Sequence, residues 1–228
     1  MFFCLLCHGS SRHGRHVCPD CNRELPWLKR ACRTCAEPLR WGGDQCQRCL
    51  ADPPPVDFCT APFEYRFPVG QLILSMKQRE PELLASLTHW LSRHLQGLDH
   101  PTPDLLVPVP MHSDRQRERG FNQAGVLAQS LGRKLGIPVA QELVLKPRAT
   151  ASQKHLNREE RQLNLASAFR LDRAKLIKMR PRPRHIAIVD DVITTGATTA
   201  HLATLLKQCG IRRVDAWALA KTPRLHHG

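Results

Sequence analysis

Two carboxylates, Asp190 and Asp191, stand side by side directly after the apolar run Ile186–Val189. Past Val192 and Ile193 comes Thr194-Thr195-Gly196-Ala197-Thr198-Thr199, a stretch with four hydroxyls, one glycine and no bulky side chain. Adjacent carboxylates accept hydrogen bonds from neighbouring hydroxyls. A small-residue turn that leads into a helix offers free backbone N–H groups at the positive end of the helix dipole, which is a cradle for phosphate. Gly196 lets the backbone turn tightly and approach the anion. The guest that satisfies both halves is a ribose 5-phosphate, with Asp190 and Asp191 taking its 2′ and 3′ hydroxyls and Thr194, Thr195, Gly196, Ala197, Thr198 and Thr199 its phosphate. A plainer role for the acid pair is to cap the last helix.

These residues need elements to hold them. Ile186–Val189, closed by the acids, reads as a strand buried on both faces. Leu202, Leu205, Leu206 and Cys209 fall on one face of the helix that follows. The motif as a whole resembles the 5-phosphoribosyl 1-pyrophosphate signature of type I phosphoribosyltransferases. Upstream, Asp104–Pro110 reads as a core strand entering a loop with His112, Arg115, Arg117 and Arg119, and a helix is expected from about Asn122 with Ala124, Leu127, Ala128, Leu131 and Leu135 inward. Open α/β sheets bind ligands beyond the carboxyl ends of their strands, so Arg115 and Arg119 would face the acid pair and could meet a pyrophosphate. By analogy with the phosphoribosyltransferases, Lys146 to Arg161, which includes Arg148 and Arg161, occupies the place of a mobile loop that closes over the pyrophosphate; the alternative is an ordinary charged helix from Asn157. Pro81 to Leu98 is a surface helix by its leucine spacing, Val69 to Lys77 a short helix, and Val214 to Ala220 a further strand. Leu171 to Pro183 reads as a variable basic loop.

Cys4, Cys7, Cys18, Cys21, Cys32, Cys35, Cys46 and Cys49 form four CxxC pairs with ten residues between successive pairs. Each pair presents two thiolates from one turn, and two pairs complete a tetrahedral zinc site with no open position, which makes the metal structural. The simplest grouping puts Cys4, Cys7, Cys18 and Cys21 on one Zn²⁺ and Cys32, Cys35, Cys46 and Cys49 on the other; a cross-braced pairing of first with third stays open. So small a segment has little core of its own, and zinc binding would supply its folding energy. Cys59 and Cys209 lie outside the pattern.

The 228 residues suit one domain with a small appendage. The expected boundaries are 1–52 for a double zinc ribbon, 53–57 for a stiff linker containing Pro53, Pro54 and Pro55, and 58–228 for the larger domain, with the linker making the ribbon an independent body. A formal charge of +14 favours polyanions, nucleic acid ahead of membrane. Aromatic residues at 5% leave few base-stacking platforms. Met1 to Cys7 shows no basic leader or cleavage site, and no apolar run is long enough for a membrane span, so a reducing cytoplasm is expected. No GxxxxGK[ST] marks a motor ATPase.

Val107-Pro108-Val109-Pro110, then Arg119-Gly120-Phe121-Asn122-Gln123, then Arg148, Gln153, Arg161, Asn164 and Phe169, and finally the Asp190-Asp191 motif resemble the ComF/GntX family across nearly the whole chain. The resemblance implies an α/β fold, a type I phosphoribosyltransferase-like parallel sheet flanked by helices, behind a cysteine-rich double zinc ribbon. It implies a part in natural competence and the use of external DNA: a phosphoribosyl-containing ligand with Mg²⁺, single-stranded DNA, and contact with a DNA-uptake machinery. One alternative is an active phosphoribosyltransferase of nucleotide metabolism, using Asp190 and Asp191 catalytically to pass ribose 5-phosphate to an unidentified base. Another is a zinc-ribbon adaptor with an inactive C-terminal domain.

Overall fold

The computed structural model describes residues 2–11, 17–39, 42–76, 81–112, 114, 117–118, 120–146 and 168–224. In chain order the elements are β1 (Phe2–Phe3), β2 (Ser10–Ser11), α1 (Pro19–Glu24), α2 (Gln47–Ala51), β3 (Phe58–Thr60), β4 (Phe63–Glu64), α3 (Val69–Ser75), α4 (Pro81–Gln96), β5 (Leu105–Pro108), α5 (Gln123–Leu135), β6 (Val144–Leu145), β7 (Arg170–Leu171), α6 (Arg173–Lys178), β8 (His185–Ile193), α7 (Ala197–Gln208) and β9 (Arg213–Lys221).

Strands whose residues are apolar on both faces must be covered on both, and β8 and β9 obey this. The main sheet runs β3-β9-β8-β5, with β4 also on β9, and every pairing in it is parallel. Alternate residues serve opposite cores, as the period-two pleat requires. Ile186, Ile188, Val214 and Ala216 join Leu202 and Leu206 of α7. Ala187, Val189, Trp217 and Leu219 join Leu87 and Leu91 of α4 and Leu127 and Leu131 of α5. The chain leaves α5 at Gly136, which adopts φ 71° as its left-handed cap. One helical turn earlier, a Cβ on Gly132 would lie 2.5 Å from Val139 Cγ2 and 2.6 Å from the Ile137 carbonyl oxygen, so α5 reaches the sheet edge only because this position carries no side chain.

Two expectations are corrected. The stretch 171–183 is not simply a basic loop: it contains β7 and α6, whose start is capped by Asp172 accepting from Lys175 N at 2.9 Å, and α6 buries Leu176 completely. Six residues with one buried anchor are too few to show helical periodicity. Nor is the cysteine-rich segment an independent body. Val56 is buried, and the Asp57 carboxylate accepts from Val214 N at 2.7 Å and Lys207 Nζ at 2.8 Å, so the residues after the prolines are tied to the sheet. Leu28 N donates to Pro62 O, Glu64 N to Pro26 O and Cys59 N to Arg33 O, all within 2.9 Å. Phe63, fully buried, lies 4.5 Å from the Trp27 ring and 5.5 Å edge-on from Trp90, whose indole N–H donates to Asn22 Oδ1 at 2.9 Å. Apart from the cluster of Cys32, Cys35 and Cys49, the buried apolar residues of this segment, Val17, Leu25, Leu28 and Ala36 among them, join the two cores of the sheet.

Phe63→Ala empties the centre of that shared core and is expected to cost about 3–5 kcal/mol. Tryptophan fluorescence and far-ultraviolet circular dichroism should lose structure at one denaturant midpoint. Two separate midpoints would show the ribbon and sheet to be independent.

Candidate functional site

β8 does not stop before the acids: its pairing with β9 continues through Asp190↔Ala218 to Ile193↔Lys221, so the pair lies within the strand's final residues. Both side chains are half-buried. Asp191 N donates to Asp190 Oδ1 at 2.9 Å and Val192 N to Asp191 Oδ1 at 2.8 Å, which fixes each carboxyl against its own backbone. Burial, and then the charge of Asp191, push the Asp190 carboxyl well above the ordinary carboxylate range; the Asp191 N–H offsets only part of this.

A cleft of about 160 Å³ opens over the pair. Its far wall is the loop after β5, from Val109 to His112, with the start of α5 and Lys146 beyond β6 completing it. The loop is pinned by Asn122 Nδ2 donating to Val109 O at 3.0 Å. Gln123 in the wall is only 3% exposed, and its Nε2 has no hydrogen-bond partner among the described residues. A buried amide N–H without an acceptor is costly, and a bound ligand oxygen would satisfy it. Lys146 Nζ stands 5.3 Å from the Phe169 ring centroid.

Asp190 also borders a second recess, formed by Val192 to Thr199. Gly196 takes φ 80° and α7 begins at the next residue. Thr195 Oγ1 accepts from Ala197 N at 3.3 Å, and Thr199 Oγ1 donates to Gly196 O at 3.0 Å. The start of α7 thus lies on one side of the acid pair and Gln123 and Lys146 on the other. Of the basic residues expected here, Arg115, Arg119, Arg148 and Arg161 lie outside the described residues. Arg117 is exposed and pairs with Asp114 at 3.3 Å.

Reading the sequence missed the group that holds the recess from below. Lys221, 1% exposed, donates through Nζ to Thr194 O at 2.8 Å and to Thr222 O, and pairs with Glu37 Oε2 at 3.0 Å. Glu37 belongs to the ribbon, where its carbonyl accepts from Cys32 N at 2.8 Å, and its other carboxylate oxygen accepts from Arg224 N at 2.8 Å. A lysine closing an apolar strand gives no sign in the sequence that its charge is buried.

The cysteines form two quartets, Cys4, Cys7, Cys18 and Cys21, and Cys32, Cys35, Cys46 and Cys49, with the four sulfurs of each within 4.8 Å of one another. First therefore groups with second and third with fourth. Cys7 and Cys18 Sγ are 3.8 Å apart and Cys35 and Cys46 Sγ 3.7 Å, close to the ~3.8 Å edge of a tetrahedron with Zn–S bonds of about 2.3 Å. All-sulfur sets of this geometry fit structural zinc. The Cys4 thiol, despite burial, is drawn down to about 6 by N–H groups from Cys18, Cys7 and Leu6. Cys32 is held at about 3, chiefly by the hydrogen bond from Cys35.

A third polar cluster was also missed. Asp215, fully buried, shares hydrogen bonds of 2.6 Å with His100 Nε2 and 2.7 Å with His185 Nε2, and accepts from Arg213 Nε at 3.2 Å. The imidazole bonds outweigh burial and hold its carboxyl below the usual range. With Arg213 Nη2 3.1 Å from His100 Nε2, the cluster is already supplied with positive charge and reads as a structural network at the amino end of the sheet.

Residues 3–50 match the family model described as a double zinc ribbon domain. The DNA utilization protein YhgH of Escherichia coli (strain K12) is 36% identical over 213 residues, 90% of this chain and 90% of that protein. Competence protein F of Haemophilus influenzae is 30% identical over 226 residues, 96% and 97% of the two chains. Among solved structures, the glutamine phosphoribosylpyrophosphate amidotransferase of B. subtilis gives a loose likeness: 17% identity and a TM-score of 0.40, over 60% of this chain and 26% of that one.

Lys221→Met keeps the volume and strands the Glu37 carboxylate, and is expected to lower stability by about 3–5 kcal/mol. Combining it with Glu37→Gln should recover part of that loss. Urea unfolding of the single and double variants checks both, and a single-variant loss below about 1 kcal/mol would contradict the buried pair.

Proposed function

This chain belongs to the ComF/GntX family of competence and DNA-utilisation proteins, and we propose that it binds a phosphoribosyl group, in the form of phosphoribosyl pyrophosphate or a close relative, and also single-stranded DNA. One observation carries the first part. The half-buried acid pair lies between a hydroxyl-rich helix start and a cleft whose wall holds Gln123, whose Nε2 has no hydrogen-bond partner among the described residues. On this reading Asp190 and Asp191 accept from the ribose hydroxyls. The turn from Thr194 to Thr199 holds the 5-phosphate, and Gln123 and Lys146 face the pyrophosphate end. Arg115, Arg119, Arg148 and Arg161, which lie outside the described residues, are the further cations that this reading expects to meet the pyrophosphate. Mg²⁺ would accompany the pyrophosphate and neutralise its charge. The two cysteine quartets hold structural zinc, whose thiolates suit a reducing cytoplasm.

Pyrophosphate release in the presence of a base would add transfer chemistry to this binding: the base forms a bond to ribose C1 as the C1–oxygen bond to pyrophosphate breaks. Binding without release, together with binding of single-stranded DNA, fits a protein of DNA utilisation that senses or carries the sugar phosphate.

The raised Asp190 carboxyl makes a stability claim of definite sign. In the native state it keeps a proton at a pH where the unfolded chain has lost it. Stability therefore falls as pH rises from about 4 through the folded value. Asp190→Asn keeps the acceptor for Asp191 N and removes the penalised charge. It is expected to melt higher than the natural protein at pH 8, with the difference vanishing below about pH 4. Asp191→Asn should weaken phosphoribosyl pyrophosphate binding about ten- to hundredfold in calorimetry with Mg²⁺, one charge-assisted bond being lost, and Asp190→Asn should weaken it likewise at a pH above the folded value of Asp190, where its carboxylate is ionised. Unchanged affinity in the Asn and Ala variants of both residues would reject the site.

A further inference from the structure

A cleft of about 1180 Å³ lies at the other end of the sheet. It is edged by Asp104, Arg184 and Arg212, each immediately before the start of β5, β8 or β9, whereas Asp190 and Asp191 lie near the opposite strand end. Five cations line it, Lys175, Arg180, Arg182, Arg184 and Arg212, all exposed. The two carboxylates in the lining are already engaged. Asp104 Oδ2 accepts from Arg184 N at 2.7 Å and His185 N at 2.9 Å, and Glu142 lies 3.5 Å from Lys175 Nζ. The cleft therefore carries a surplus of positive charge.

Part of this charge is set in place before any ligand arrives. Arg180 Nη1 donates to Ile177 O at 2.7 Å and Met179 O at 2.8 Å, and Arg182 Nη2 donates to Cys209 O at 2.7 Å. Each guanidinium keeps its charge and its remaining N–H donors for an incoming group. Pro181 and Pro183 alternate with the arginines and fix the backbone between them, so little freedom is lost on binding. Arginine rather than lysine supplies four of the five cations, and the planar fork of arginine suits phosphate oxygens.

We infer that this cleft is a track for the backbone of single-stranded nucleic acid, separate from the phosphoribosyl site; the inference rests on the DNA-binding part of the proposed function and gives it a location. The volume exceeds the ~300–1,000 Å³ of small-molecule sites, so a polymer segment suits it better than a metabolite. A concave surface admits a flexible strand, while a membrane or a stiff duplex meets only its rim. No aromatic side chain is among the described lining residues, so recognition runs through phosphates and is indifferent to base sequence. Placing the cations at the end of the sheet away from Asp190 and Asp191 also keeps the polyanion clear of their charge.

The test uses the full chain, a fluorescein-labelled single-stranded oligonucleotide of mixed sequence, and anisotropy titrations over a series of salt concentrations. Arg184→Glu with Arg212→Glu is the primary variant, since neither guanidinium holds a backbone carbonyl among the described residues; Arg212→Gln alone serves if the double variant fails to fold. The inference expects at least a tenfold loss of affinity in the double variant, a log–log salt slope smaller by about one to two, and unchanged calorimetric binding of phosphoribosyl pyrophosphate. For Arg212→Gln it expects a smaller loss with the slope reduced by about one. If the natural protein binds the oligonucleotide and the variants bind it equally well, the location is wrong while DNA binding stands. If the natural protein does not bind it even at low salt, DNA binding and this track fail together. Competition by polyglutamate as effective as by oligonucleotide of equal charge would overturn the nucleic-acid assignment in favour of an acidic protein.

Discussion

A buried ammonium cannot be left without partners, and the placement of Lys221 constrains everything around the candidate site. Its Nζ is enclosed by Glu37, Thr194 O and Thr222 O. Glu37 can be there only if the second cysteine quartet folds its turn so that Cys32 N and Glu37 O meet. Thr194 O can be there only if β8 runs to Ile193 beside Lys221 of β9. The first carbonyl of the hydroxyl-rich turn is thereby fixed to the ribbon through two side chains. This joins the metal-organised segment to the recess beside Asp190, and it gives the ribbon a positional role in addition to its packing on Phe63.

The sheet separates opposite charges by its two ends. Near the carboxyl end of β8, two carboxylates share a half-buried position that disfavours the ionised form of Asp190. Near the amino ends, Asp215 is surrounded by His100, His185 and Arg213, and the arginines of the large cleft lie beyond. Parallel strands make this division natural, because all of their carboxyl ends face one way. A ligand with hydroxyls and one phosphate suits the first end; an extended polyanion suits the second.

Much of this could be read from the residues. β5, β8 and β9 show as mainly apolar stretches, interrupted by Asp190 and Asp191 in β8 and by Asp215 in β9, because helices cover both faces of a parallel sheet, and α5 and α7 show through the spacing of Leu127, Leu131, Leu202 and Leu206. The cysteine spacing gave the quartets but left their grouping open, since thiolates from any two pairs satisfy zinc equally. What escaped detection depends on partners distant in sequence. Lys221 with Glu37, Asp215 with His100, and the docking of Trp27 on Phe63 each join segments that no local pattern connects. Gln123 appeared only as one letter of a motif; its role shows in its burial and its missing acceptor. The proline run looked like a spacer because its composition is that of one, yet Val56 and Asp57 next to it are bound into the core.

The central claim, that the recess beside the acid pair holds a phosphoribosyl group, is tested most directly by hydrogen–deuterium exchange of the natural protein with and without phosphoribosyl pyrophosphate and Mg²⁺. The account expects slowed exchange in peptides spanning residues 194–200 and 109–112, with the large basic cleft around Arg182 unchanged. Exchange unaltered in both peptides at saturating ligand concentrations would contradict it.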